Sequence, residues 1–255
     1  MSEPLFTGVG VALATLFDEA GELDAKATAG HAATLVELGI RAVVVAGSTG
    51  EAAALSSEER LELLAEVRRA VGSEVPVVAG TGAPSARQAA ALTRQARDAG
   101  ADAVLALCPP RTTDPRPYYE AVAGAAGDLP SFAYHFPQTS PPGIPVEALP
   151  DLPVQGMKDS SGEPERLLAE LEVFHRPLYV GAAMILLMAG SLGVPGAILA
   201  VANVDPEHSI AAFAGDPAAQ QALLTAHRKV RHAFPSGLKQ AIADRFGTSP
   251  ATRLG

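Results

Sequence analysis

The stretch Ala99–Val104, which reads AGADAV, joins the end of a helix to the start of a strand and decides the fold. The chain repeats this arrangement at two other junctions, Leu38–Val43 (LGIRAV) and Leu192–Ile198 (LGVPGAI). In each of them a glycine can end a helix through a left-handed cap, and an apolar strand starts a few residues later. The repeat predicts strands that alternate with helices along the chain.

Valine-rich runs predict eight strands, and alanine- and leucine-rich segments between them have the apolar spacing of amphipathic helices. The predicted strands are Val9–Leu16, Ala42–Ala46, Val75–Ala79, Ala103–Leu107, Ser131–His135, Val154–Lys158, Leu178–Val180 and Ala197–Ala200. The predicted helices are Asp24–Leu38, Ser57–Val71, Ser85–Ala99, Glu163–Phe174, Asp216–His232 and Ser236–Arg245.

Strands that are apolar on both faces indicate a parallel sheet covered by helices, and eight of them indicate an α/β fold of the (β/α)8 TIM barrel type. We expect the barrel to span residues 1–205, where the alternation stops. A short helical extension, residues 206–255, is expected to pack on it. An open doubly wound sheet is the alternative, but no glycine-rich dinucleotide fingerprint follows the first strand.

Composition excludes several classes of protein. The net charge of the 255 residues is -9 and no basic stripe is present, which argues against a nucleic-acid partner. The single cysteine, Cys108, fits a reducing compartment. The N-terminus lacks the pattern of a signal peptide, and the most apolar stretch, 182–202, is interrupted by glycine and proline. We therefore expect a soluble cytoplasmic protein that does not bind membranes.

Lys158 is the most informative residue. It ends an apolar, strand-like segment and is one of only four lysines. A primary amine can form an imine with a ketone, and partial desolvation at the end of a buried strand would lower its pKa and make it more nucleophilic. A lysine that snorkels at a strand end is the alternative.

Other polar residues follow strands whose C-terminal ends would share one mouth of the barrel. The turn Gly47–Glu51 offers the hydroxyls of Ser48 and Thr49 and backbone N–H groups, which suit a carboxylate. Tyr134 has a phenol that could transfer a proton. The alternatives are an ordinary capped turn and an aromatic packing residue. No second histidine lies at ligand spacing from His135, so the sequence predicts no metal site.

Taken together, these segments resemble the dihydrodipicolinate synthase / N-acetylneuraminate lyase family of class I aldolases over almost the whole chain. The resemblance rests on four motifs and their order. They are Gly47–Glu51 (GSTGE), Tyr134–Pro137 (YHFP), Gly156–Asp159 (GMKD) and Gly196–Ile198 followed by Asn203.

The resemblance implies a lyase in which Lys158 forms a Schiff base with pyruvate or another 2-keto acid, while a C–C bond to an aldehyde is made or broken. It also implies that Tyr134 is the general acid and base. Ser48 and Thr49, with Gly47, would bind the carboxylate and relay the proton, and the Ile198 carbonyl would line the pocket. No cofactor is implied, and the family is usually tetrameric, so we expect a dimer or tetramer.

Two departures from the family pattern bear on the substrate. Synthases that use aspartate semialdehyde usually have an arginine soon after the Tyr-x-x-Pro motif, but residues 138–143 read QTSPPG. Where those enzymes place a tyrosine after the fourth strand, this chain has Arg111, which could bind an acidic or polyhydroxylated substrate or form a surface salt bridge. Tyr118 and Tyr119 come later, on the expected next helix, and the tyrosine's role is not transferred to them.

The sequence after the Tyr-x-x-Pro motif is more similar to the 2-keto-3-deoxy sugar-acid aldolases of the family. We therefore expect a pyruvate-type aldolase acting on a 2-keto-3-deoxy acid. The alternatives are a dihydrodipicolinate synthase, a dehydratase or hydratase-aldolase of keto-deoxy acids, and a barrel that binds keto acids without catalysis.

Overall fold

Eight parallel strands close into a barrel in the computed structural model, which describes residues 3–254. Each strand pairs with the next one in the chain, and the last pairs with the first. The strands are β1 Gly8–Ala12, β2 Val43–Val45, β3 Val77–Gly80, β4 Ala103–Leu107, β5 Ser131–His135, β6 Gly156–Asp159, β7 Leu178–Val180 and β8 Gly196–Leu199. The predicted TIM barrel is confirmed.

Helices alternate with the strands along the chain. They are α1 Ala25–Glu37, α2 Ser57–Val71, α3 Ala86–Asp98, α4 Arg116–Ala126, α5 Pro164–Val173, α6 Leu186–Ser191, α7 Pro206–Phe213, α8 Pro217–Arg231 and α9 Ser236–Phe246. After Asp205 the described residues form three successive helices and no further strand; the first of them, α7, was not predicted and completes the eighth strand–helix unit. The Asp205 side chain caps α7 and Pro206 occupies its first turn. The division into two units at residue 205 stays a prediction.

The caps explain why the predicted helix bounds lie close to the observed ones. Ser56 and Glu59 form a reciprocal capping box at the start of α2, and Ser85 caps α3. After α1 and α3, Gly39 and Gly100 take positive φ values of 102° and 83°. Side chains other than glycine rarely adopt this backbone, so glycine sets the ends of both helices.

The first strand is shorter than the predicted Val9–Leu16, although Leu13–Leu16 is fully buried. After Leu13 the backbone leaves the ladder, and side chains accept its hydrogen bonds instead. The Ala14 N–H donates to Asn203 Oδ1 at 3.0 Å, and the Leu16 N–H donates to Thr28 Oγ1 at 2.9 Å. The segment after the strand can therefore stay buried, because polar side chains accept hydrogen bonds from its backbone N–H groups.

Alternation along the strands separates two cores. One apolar cluster fills the barrel interior and includes Val44, Leu105, Phe132, Tyr179 and Ile198. The other lies between the strands and the helices that surround them. Residues at the C-terminal ends of the strands therefore point either into the barrel mouth or outward against the helices.

Candidate active site

Lys158 lies in β6 with its side chain inside the barrel and is only 4% exposed. In register it stands between Tyr134 of β5 and Tyr179 of β7. Burial lowers the pKa of its ammonium to about 7, and no other cause contributes. A substantial fraction of the amine is therefore neutral near pH 7, which is the state that attacks a carbonyl.

Tyr134 lies beside Lys158 and can provide a proton. The Lys158 Nζ atom lies 4.4 Å from the centre of the Tyr134 ring. Burial raises the pKa of the Tyr134 phenol to about 12, against the opposing effect of hydrogen bonds with Ser160 and Ser48. The phenol is therefore protonated at neutral pH and is ready to give a proton before it accepts one.

Two further residues shape this site and were missed from the sequence. Ser160 Oγ donates to Tyr134 Oη at 3.3 Å, and a Cβ added to Gly181 would lie 1.9 Å from Ser160 Oγ and 2.7 Å from Lys158 Cε. Strand alternation was a usable signal for Ser160, since residues 158 and 160 fall on the same side of an extended chain. Nothing in the sequence near Gly181 indicated that the lysine packs against it.

The turn Gly47–Glu51 follows β2, and its residues Ser48–Gly50 form a short 3-10 helix. Thr49 is buried and Ser48 half-buried. Thr15 Oγ1 donates to the Gly50 carbonyl at 2.8 Å, and a Cβ on Gly50 would lie 2.9 Å from the Leu13 carbonyl oxygen. The turn is thus packed closely against the segment after β1, and Ser48 is close enough to the Tyr134 phenol to oppose the rise of its pKa.

The remaining predicted residues occupy two different positions. Ile198 lies in β8 and packs in the barrel interior with Tyr134. Arg111 lies in the loop after β4, its side chain is exposed, and its φ is 62°. The Arg111 N–H donates to the Pro141 carbonyl at 2.7 Å, which joins this loop to the arginine-free stretch 138–143. A role for Arg111 in substrate binding stays a prediction.

Tyr118 and Tyr119 both have structural hydrogen bonds on α4. Tyr119 Oη donates to the Ala106 carbonyl at 3.1 Å and accepts the Tyr134 N–H at 3.3 Å. Tyr118 Oη bonds to the backbone of Ala83. Their phenols hold α4 and the adjacent loop against the strands, which agrees with withholding a catalytic role from them.

Polar residues one position after Tyr134 and Lys158 point outward, away from the mouth. His135 Nε2 lies 3.9 Å from Asp159 Oδ1, and Arg166 Nε lies 2.8 Å from Glu170 Oε1. Burial lowers the pKa of His135 to about 3, and its Nδ1 accepts the Ile144 N–H at 2.8 Å. His135 is therefore a neutral packing residue behind the site.

In residues 3–254, no group of three or more His, Cys, Asp or Glu side chains is placed to hold a metal ion. In the same part of the chain, no helix has the length and apolar character needed to cross a membrane.

Comparison with known proteins identifies the family. Residues 5–242 match the Dihydrodipicolinate synthetase family.

The chain belongs to this family.

The relatives agree with this assignment. The chain is 33% identical to a 4-hydroxy-tetrahydrodipicolinate synthase of Natronomonas pharaonis, over 83% of this chain and 75% of the relative. It is 34% identical to the synthase of that name from Pseudomonas aeruginosa, over 86% and 80%. Among solved structures, YagE from E. coli K12, a family member in complex with pyruvate, superposes with a TM-score of 0.89 at 26% identity, covering 98% of this chain and 92% of YagE.

Family membership confirms the sequence prediction of a carbon–carbon lyase of the class I, pyruvate-dependent type. The roles of the individual residues of this chain stay predictions.

Proposed function

We propose that Lys158 forms a Schiff base with pyruvate or a 2-keto-3-deoxy acid, and that the protein makes or breaks a C–C bond through the resulting enamine. The observation that carries this proposal is a buried amine with a pKa of about 7 beside a protonated phenol. The family relative YagE, whose structure contains pyruvate, supports a keto acid as the ligand.

In the cleavage direction the neutral Lys158 amine attacks C2 of the keto acid and forms a carbinolamine. The Tyr134 phenol gives its proton to the departing hydroxyl, so that water leaves, a protonated imine forms and Tyr134 becomes a phenolate. The phenolate then accepts the proton of the C4 hydroxyl as the C3–C4 bond breaks. The electron pair of the broken C3–C4 bond moves into the protonated imine, which produces an enamine and an aldehyde.

The enamine takes a proton at C3 and water hydrolyses the imine, which releases pyruvate and restores the amine. Burial of Tyr134 favours its neutral form, so the phenolate is short-lived and readily takes the proton. In this scheme Ser48, Thr49 and the Gly47 backbone bind the substrate carboxylate. Ser48 relays protons to and from the Tyr134 phenol, and the Ile198 carbonyl borders the pocket.

The loops around the mouth favour one substrate class over the other. The stretch 138–143 has no cation to pair with the carboxylate of aspartate semialdehyde, whereas the exposed Arg111 lies in the loop after β4. We therefore favour a 2-keto-3-deoxy sugar acid, with Arg111 binding its hydroxyl or acidic groups. We place the enzyme in the cytoplasm as a homodimer or homotetramer.

A 4-hydroxy-tetrahydrodipicolinate synthase is the second candidate, because relatives at 33–34% identity have that name. The two can be separated by turnover. We expect kcat/KM for pyruvate release from at least one of a panel of 2-keto-3-deoxy sugar acids to exceed kcat/KM for the condensation of pyruvate with aspartate semialdehyde. Faster condensation with the semialdehyde would reverse the assignment, and no turnover of any of these substrates would favour a binding protein.

A further inference from the structure

Glu51, the last residue of the turn Gly47–Glu51, has a buried side chain and a strained backbone. Its side chain is 1% exposed, and its φ of 54° and ψ of 41° lie in the left-handed region. A residue other than glycine rarely adopts this conformation, which persists only where the surroundings hold it. The contacts of Glu51 therefore show what fixes the end of the turn.

The C-terminal part of the chain supplies every partner that the structure gives to the Glu51 carboxylate. Lys239 Nζ of α9 lies 2.9 Å from Oε1. The backbone N–H groups of Arg253 and Leu254 each donate to Oε2 at 2.8 Å. These two residues belong to the segment 247–254, which we call the C-terminal tail.

Lys239 is built into this contact. It is fully buried, its Nζ donates to the Ala251 carbonyl at 3.0 Å, and it lies 4.5 Å from the centre of the Phe17 ring. A buried ammonium is costly unless it is paired, so Glu51 and Lys239 depend on each other.

Arg253 extends the contact to the two neighbouring loops. Its guanidinium donates to the Gly21 carbonyl after β1 and to the Ala54 carbonyl after β2, at 2.6 and 3.0 Å. It also forms a bidentate pair with Glu59 of α2, at 2.7 and 3.0 Å. The C-terminal tail therefore lies across the catalytic face of the barrel at β1 and β2.

We propose that Glu51, Lys239 and the C-terminal tail form a positioning device that fixes the Ser48–Thr49 turn in the geometry that binds the keto acid's carboxylate. Thr49 is two residues from the anchored carboxylate, and the intervening Gly50 is packed against Thr15 and Leu13. Movement of Glu51 would thus displace the hydroxyls of Ser48 and Thr49. The inference rests on the proposed function, because it assigns the turn to the carboxylate.

The tail also contributes to stability, so the test must separate positioning from folding. Positioning of a carboxylate site affects an anionic ketone and spares a neutral one. Pyruvate and methyl pyruvate share the reacting carbonyl, but only pyruvate has the anionic carboxylate. Each ketone is trapped with borohydride, and the adduct is quantified by intact mass. The ketone concentration that gives half-maximal trapping measures binding before and during imine formation.

Leu254→Pro removes one N–H donor to Glu51, and Leu254→Ala keeps it while shortening a half-exposed side chain. Lys239→Met removes the ammonium, and Lys239→Arg keeps the charge. We expect Leu254→Pro and Lys239→Met to raise the half-saturating concentration of pyruvate about tenfold, because each variant loses one charge-assisted contact. The half-saturating concentration of methyl pyruvate should rise less than about twofold. Leu254→Ala should behave like the unaltered protein, and Lys239→Arg should recover most of the affinity.

Equal shifts for both ketones, or no shift for either, would overturn the positioning role. Circular dichroism and the melting temperature establish that each variant is folded; if Lys239→Met does not fold, the Leu254 pair still decides. Absence of any adduct in the unaltered protein would instead count against the proposed function. An adduct there with unchanged variants would count against this inference alone.

Discussion

The two buried lysines of this chain show how environment separates a nucleophile from a structural cation. Lys239 has Glu51 as a counter-ion, which opposes the effect of burial on its pKa. Lys158 has no such opposing group, and burial alone brings its pKa to about 7. Lys158 therefore offers a neutral amine near pH 7, and it does so next to Tyr134.

The rate of imine formation should follow the deprotonation of Lys158. With a pKa of about 7, the fraction of neutral amine rises through pH 6–8 and then levels off. The Tyr134 phenol, with a pKa of about 12, stays protonated over this range. Rapid-quench borohydride trapping with pyruvate at saturating concentration gives the profile. A midpoint near the ordinary lysine value, or a rate that does not change with pH, would contradict the assigned environment.

Tyr134→Phe should impair proton transfer but leave Lys158 able to form the imine. The ring and its contact with Lys158 remain, and the hydroxyl that serves as acid and base is lost. We expect kcat for cleavage to fall by about 10²–10⁴, while slow incubation with borohydride still labels Lys158. Steady-state assays and intact mass check both expectations, with Tyr118→Phe as the control on α4. Full activity of Tyr134→Phe would exclude its catalytic role.

Sequence periodicity predicted the strands and helices of the barrel well, because the strands are buried on two sides and the helices have caps. The bounds of β4, β5, β7 and α2 agree with the predicted ones. The sequence predicted a helix holding Tyr118 and Tyr119 and one ending near Gly193, but it gave no bounds for α4, α6 or α7. The last two are short, with 6 and 8 residues, and follow β7 and β8 closely.

The site was predictable only in part. Lys158, Tyr134 and the Ser48–Thr49 turn follow strands, so the barrel rule brings them to one end. Gly181 could not be found in this way, since its importance depends on packing across β6 and β7. The same is true of Glu51, whose partners lie about 190–200 residues away at the other end of the chain.

Gly181→Ala tests the packing between β6 and β7 directly. The added methyl would lie 2.7 Å from Lys158 Cε and 1.9 Å from Ser160 Oγ, so both side chains must move. We expect at least a tenfold loss of kcat/KM, on the order that an ångström-scale displacement of a reacting group costs. Gly124→Ala on α4 is the matched control, because nothing lies within 4 Å of its added methyl. Equal activity of the two variants would contradict this packing.

For the molecule as a whole, the depressed pKa of Lys158 is a cost to stability. The unfolded chain holds this proton up to about pH 10.5, whereas the folded protein loses it at about pH 7. The unfolded state thus binds more protons between these values, and the contribution of Lys158 to stability rises with pH through this window. The penalty for burying the ammonium is present in full below pH 7.

Lys158→Met should therefore stabilise the protein while it abolishes activity. We expect the free energy of unfolding to rise by about 2–4 kcal/mol at pH 6, where the buried charge is present. The gain should shrink as the pH rises to 10. Urea unfolding at the two pH values, with Lys26→Met at an exposed lysine as the control, measures it. A variant that is less stable than the parent at pH 6 would show that the ammonium is well solvated or paired.

We infer that Lys158, and not the buried Lys239, forms the imine. The most direct measurement is incubation with pyruvate, reduction with borohydride and peptide mapping by mass spectrometry. We expect one reduced pyruvate adduct per chain, located on Lys158, and none in Lys158→Arg. An adduct on Lys239, an adduct that survives Lys158→Arg, or no adduct with pyruvate or any 2-keto-3-deoxy acid would contradict it.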